Sequence, residues 1–109
     1  MIKSKLPAIV VQWVDLAVDC IQLEVDQYTS VTRADAVAML LRAIAKGPEF
    51  SAKAVVLNTM PELTGSACKA LTIALGGAYC DMPLMIRSRL LMQISQSSMA
   101  DVQAELCDV

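Results

Sequence analysis

Polar side chains recur at alternating intervals of three and four residues near the start of the chain. The series is Gln12, Asp15, Asp19, Gln22 and Asp26. This interval matches the roughly 3.6-residue turn of an α-helix, whereas a half-buried strand alternates every second residue. Most other residues of the segment are apolar, with Glu24 as an exception. We therefore predict a helix from about Pro7 to Tyr28 with a narrow polar stripe, buried on two or three sides.

Prolines, glycines and capping residues divide the rest of the chain into segments of helical length. Thr32, with Asp35 three residues later, predicts the start of a second helix that runs to about Lys46 and ends at Gly47-Pro48. The further predicted helices cover about Glu49 to Asn58, about Ser66 to Leu75 before Gly76-Gly77, a segment beginning near Pro83, and a short tail opened by Ser98 and Asp101.

These segments predict an all-α fold. We expect a compact bundle of about five to six short helices with one long N-terminal helix, because the length of 109 residues is typical of one domain, here residues 1–109. The fourth predicted helix has the fewest strongly polar positions, so we expect it to be the most central. A strand is the competing assignment for residues 54–57 and 70–75, and their alanine content favours helix.

The chain is more apolar than an ordinary small domain. Hydrophobic residues make up 56% of it, against roughly 45–50% in typical globular proteins. A domain of this size buries only about two-thirds of the surface of its unfolded chain. The excess predicts exposed apolar patches of the kind that mark interfaces, and hence a homo-oligomer or a complex with a protein partner.

No motif for catalysis or cofactor binding is present. The chain has no histidine, which removes the usual base for a serine or cysteine nucleophile. The four cysteines, Cys20, Cys68, Cys80 and Cys107, form no C-x-x-C pair. We expect free thiols in a reducing cytoplasm, no metal, no cofactor and no enzymatic activity. No apolar run reaches the length of about 18 residues that predicts a membrane-spanning helix.

Two groups of residues are candidates for binding a partner. On the first helix these are Trp13 and the acidic positions Asp15, Asp19 and Asp26. A solvated helix face is the alternative interpretation of the acidic positions. In the C-terminal third the candidates are Met85, Met92 and Met99, because methionine-rich helical faces adapt to varied partners. Core packing is the alternative interpretation of the methionines.

Residues 27–41, from Gln27-Tyr28-Thr29-Ser30 through Arg33-Ala34-Asp35 to Leu40-Leu41, resemble the turn and second helix of ribbon-helix-helix repressors. The resemblance implies an obligate dimer in which a strand at about residues 8–13 pairs with its partner and enters the DNA major groove. In that strand only Gln12 could read bases. The chain departs from the family here, because its polar residues from Gln12 onward recur at helical intervals and not at the two-residue interval of a strand.

These observations favour a non-enzymatic protein–protein interaction module, such as a small regulator, inhibitor or adaptor that buries an apolar helix face. The net charge of −2 and the scattered basic residues argue against nucleic-acid binding. A dimeric ribbon-helix-helix-like repressor is the alternative hypothesis.

Overall fold

The computed structural model describes residues 6–107, and every regular element in that range is an α-helix. The six helices are α1 Ala8–Val25, α2 Arg33–Lys46, α3 Ala52–Thr59, α4 Gly65–Asp81, α5 Leu84–Gln96 and α6 Met99–Cys107. The predicted all-α class is confirmed, and both segments with a competing strand assignment are helical. The N-terminal helix does not stand out by length, because α1 has 18 residues and α4 has 17.

The boundaries of α2 follow from its capping residues. The Thr32 hydroxyl accepts a hydrogen bond from the backbone N–H of Asp35 at 3.1 Å, which satisfies one of the donors left free in a first helical turn. At the other end Gly47 adopts a φ of +91°, and its N–H donates to the carbonyl of Ala43. Glycine reaches this left-handed backbone conformation without the penalty that a Cβ imposes. The predicted start of this helix at Thr32 and its stop at Gly47 are confirmed.

The central element is α2 rather than α4. It packs against each of the other five helices and buries eight residues, from Ala36 to Ile44. The expectation for α4 was wrong because its few polar residues do not reflect full burial. Ile73, Gly77 and Cys80 lie on an exposed side of that helix.

The helix α4 continues through Gly76-Gly77, where the sequence predicted a stop. Both glycines sit in the helix interior, and it ends only at Asp81. The additional turn places Ala78 and Tyr79 in the core. Apolar burial in this turn outweighs the helix-breaking tendency of two glycines, which is about 1 kcal/mol each relative to alanine.

The helix α1 packs against α2, α4 and α5 and keeps one side exposed. Its buried positions are Val10, Val14, Ala17, Val18, Ile21 and Val25. Residues 8–13, where the ribbon-helix-helix resemblance implies a strand, form the first turns of this helix. Leu6, just before α1, contacts α6, because its backbone N–H donates to Oε2 of Glu105 at 2.6 Å.

Arg87 in α5 packs against an aromatic side chain. It is half-buried, with its guanidinium 4.6 Å from the centre of the Tyr79 ring. Its Nε also donates to the Met82 carbonyl at 3.1 Å. Tyr79 in turn packs against Phe50 with a ring separation of 4.6 Å. This cluster ties the segment before α3 to the junction between α4 and α5.

Candidate functional site

An apolar row runs along the side of α1 that faces away from the core. We call Ile9, Leu16 and Leu23 the outer row of α1. The three residues are spaced seven apart, which stacks them along one helix face. Leu16 is 55% exposed and Leu23 is 78% exposed. These large apolar side chains therefore contribute little to the core of their own chain.

A second apolar face lies on α5. We call Leu84, Met85, Leu91 and Met92 the outer face of α5. It consists of two pairs with a spacing of seven, Leu84 with Leu91 and Met85 with Met92. Leu84 and Met85 are each 69% exposed. The core side of this helix is formed by other residues, so these four face solvent.

The connectivity places these two surfaces on neighbouring helices. One cleft is lined by Glu24 at the end of α1, by Tyr28 in the turn that follows, and by Ser66 and Ile73 in the first half of α4. Because the end of α1 meets the start of α4, the two packed helices are antiparallel. The junction between α4 and α5 therefore lies beside the first half of α1, and α5 packs against α1 as well.

The two helices carry opposite charges. Within its bounds α1 contains Asp15, Asp19 and Glu24, followed by Asp26 at its end, and it has no lysine or arginine. In contrast, α5 contains Arg87 and Arg89 and has no acidic residue. With charges separated in this way, contact of an α1 surface with an α5 surface is favoured over contact between two α1 surfaces or two α5 surfaces.

Three of the four arginines are used inside the chain. Arg33 pairs with Asp15, Arg42 donates to the Thr59 hydroxyl at 2.8 Å, and Arg87 packs on Tyr79. Arg89 is exposed, and residues 6–107 provide it with no hydrogen-bond or ion-pair partner. Its guanidinium is therefore available to an external acidic group.

The structure separates the binding residues suggested by the sequence into two sets. Asp15 is held by Arg33 at 2.6 Å. Trp13 and Met99 are half-buried and pack against the core. The exposed set consists of Asp19, Asp26, Met85 and Met92.

Sequence reasoning missed the outer row of α1 and the leucines of α5 as candidate surface. The seven-residue spacing of Ile9, Leu16 and Leu23 could have indicated it, because this row is separate from the buried row of the same helix. The sequence pattern shows two apolar rows but does not show which one the rest of the chain covers.

Two open clefts flank the first half of α4. The first, about 480 Å³, lies between α1 and α4. The second, about 580 Å³, lies between α3 and α4. Lys69 and Ile73 line both and form the ridge between them. No group of three or more cysteine or acidic side chains in the described range is placed to hold a metal ion.

None of the helices within residues 6–107 has the length and hydrophobicity needed to cross a bilayer. No protein-family model matches the chain, and comparison with curated proteins and with solved structures gives no match.

Proposed function

We propose that the protein is a non-enzymatic interaction module that binds protein through the outer row of α1 and the outer face of α5. The observation that carries this proposal is the row Ile9, Leu16 and Leu23, which is apolar, regularly spaced and turned away from the core. A small regulator, inhibitor or adaptor works in this way, by covering a surface rather than by chemistry.

Apolar burial supplies the binding free energy in this proposal. Covering a fully exposed leucine, isoleucine or methionine contributes about 1.5–3 kcal/mol, and a few such anchors dominate most interfaces. The exposed acidic and basic groups beside the rows give specificity and orientation more than affinity. The surface thus combines an apolar centre with charged residues beside it.

A reducing compartment such as the cytoplasm is the proposed location. The structure describes all four cysteines as free thiols, and Cys20 and Cys80 are exposed. Exposed thiols persist in reducing compartments, whereas oxidising ones drive them into disulfides. This location does not depend on the identity of the partner.

The test is the double substitution Leu16→Glu with Leu23→Glu, compared with Ala54→Glu on the exposed side of α3. We expect both proteins to keep the wild-type circular dichroism spectrum, because neither change touches the core. We expect only the α1 variant to lose association, measured by sedimentation velocity of the purified chain and by capture of proteins from its source. If association and capture were the same for both variants and the wild type, the proposal would be wrong.

A further inference from the structure

We infer that the protein bound by this surface is a second copy of the chain, arranged about a two-fold axis so that α1 of each copy packs on α5 of the other. This inference rests on the proposed function and names its partner. The two-fold arrangement repeats one contact twice, as closed homodimers do. Each apolar surface of one copy then meets its counterpart on the other copy.

The charges of the two helices favour this pairing over other self-pairings. Contact between two copies of α1 would bring together two helices that carry acidic residues and no basic ones. Contact between two copies of α5 would bring Arg89 close to another Arg89. Like charges brought together across an interface are destabilising, whereas acidic α1 against basic α5 is complementary.

The position of the acidic residues within α1 supports an external role for them. Glu24 and Asp26 lie at the C-terminal end of the helix, where the backbone dipole carries partial negative charge and disfavours acidic side chains. Neither residue makes an ion pair within the described range. A basic surface from a second copy would offset this unfavourable interaction with the helix dipole.

The apolar rows match in spacing as well. The outer row of α1 and both pairs on α5 repeat every seven residues. A row at seven-residue intervals returns to nearly the same helix face every two turns, so the rows of α1 and α5 can lie along one another. Ser88, between the two apolar pairs of α5, is exposed and small enough to let a helix approach.

Charge reversal in the full-length chain tests the arrangement. We expect the wild type to sediment as a dimer at micromolar concentration and low salt. Asp19→Arg or Arg89→Glu alone should raise the dimer Kd by about tenfold or more, because each creates a like-charge contact. Lys53→Glu and Glu62→Arg are the matched controls, since both positions are exposed outside the two surfaces, and they should leave Kd unchanged.

Mixing the two reversed chains provides the decisive measurement. In a dimer of the Asp19→Arg chain with the Arg89→Glu chain, every α1–α5 contact again joins opposite charges. We therefore expect the equimolar mixture to form a heterodimer with wild-type affinity. A dimer that ignores both reversals, or a mixture that stays monomeric, would overturn the inference and leave the proposed function standing.

A monomeric wild type at high micromolar concentration would also overturn the inference. If the Leu16→Glu and Leu23→Glu variant then lost capture of a partner that the Ala54→Glu control retained, the surface would serve a different protein. If neither self-association nor capture depended on these leucines, the proposed function would fail together with the inference.

Discussion

Arg33 donates a hydrogen bond from Nη2 to Oδ1 of Asp15, 2.6 Å away, and this ion pair joins the start of α2 to the middle of α1. The same guanidinium donates from Nε to the carbonyl of Leu106 in α6 at 2.9 Å. One side chain thus links three helices. Asp15 belongs to the polar stripe that the sequence suggested as a docking surface, and its role in the structure is internal.

Replacing Arg33 should destabilise the fold more than replacing Asp15. Asp15→Ala removes a partly exposed ion pair, which contributes about 0.2–1 kcal/mol. Arg33→Ala also leaves the Leu106 carbonyl without this donor, a loss of about 1 kcal/mol more. Urea unfolding of the two variants and the double variant measures the difference. Equal losses for the two single variants would contradict the linking role of Arg33.

The two apolar rows of α1 should respond differently to truncation. Ile21 has no exposed surface, whereas Leu23 is 78% exposed. Ile21→Ala should lower the free energy of unfolding by about 2–5 kcal/mol, because it leaves a cavity in the core. Leu23→Ala should change it by less than about 0.5 kcal/mol when measured on dilute protein.

The same pair of variants reports on association. At higher protein concentration Leu23→Ala should lower the apparent stability relative to wild type, because binding between folded chains adds stability by mass action. A large loss for Leu23→Ala even in dilute solution would place its side chain in the core and contradict the outer row.

Alanine substitution should have opposite effects on stability at the two glycines inside α4 and at the glycine that ends α2. A Cβ at Gly76 or Gly77 meets nothing within 4 Å, and both lie in a helix interior. Alanine there should stabilise the chain by about 0.5–1 kcal/mol at each position. Gly47→Ala should be destabilising, because φ of +91° strains any residue with a side chain. Thermal unfolding of the three variants checks the signs, and a destabilising Gly77→Ala would show a neighbour packed on that face.

Two threonines at helix starts provide a matched pair for capping. Thr32 accepts a hydrogen bond from the N–H of Asp35, whereas the side chain of Thr64, at the start of α4, makes no capping hydrogen bond. Thr32→Ala should cost about 1 kcal/mol. Thr64→Ala should cost clearly less, as measured by chemical denaturation under identical conditions. A larger loss of stability for Thr64→Ala than for Thr32→Ala would mean that Thr64, and not Thr32, caps its helix in solution.

The sequence predicted those helix boundaries that depend on hydrogen bonds and backbone conformation within one or two turns. The capping pair Thr32 and Asp35 and the stop at Gly47 act within one or two turns, and the structure has both. Ser98 likewise accepts a hydrogen bond from the N–H of Asp101 at the start of α6. Tertiary packing determined the rest. The helix α4 continues beyond Gly76 and Gly77 because the Tyr79 ring packs in the core. Its contacts are Phe50, which is distant in sequence, and Arg87, which belongs to α5.

Only part of the candidate surface could be predicted from the sequence, again because tertiary packing decides which residues are covered. Met85 and Met92 were selected by residue type and are exposed. Met99 was selected by the same criterion and packs against the core. Residue type does not fix which side of a helix the other helices cover. Leu16 and Ile21 illustrate this, since both are apolar residues of α1 on different sides of the helix.

The hydrogen bond between Leu6 and Glu105 brings the start and the end of the described range, residues 6–107, close together. A short flexible linker in place of the residues outside this range could join residues 6 and 107, and new ends could be opened at the exposed turn that holds Pro48 and Glu49. Such a circularly permuted chain would keep all six helices but begin with α3. Folding of this permutant would show that the order in which the helices are synthesised is not needed to assemble them.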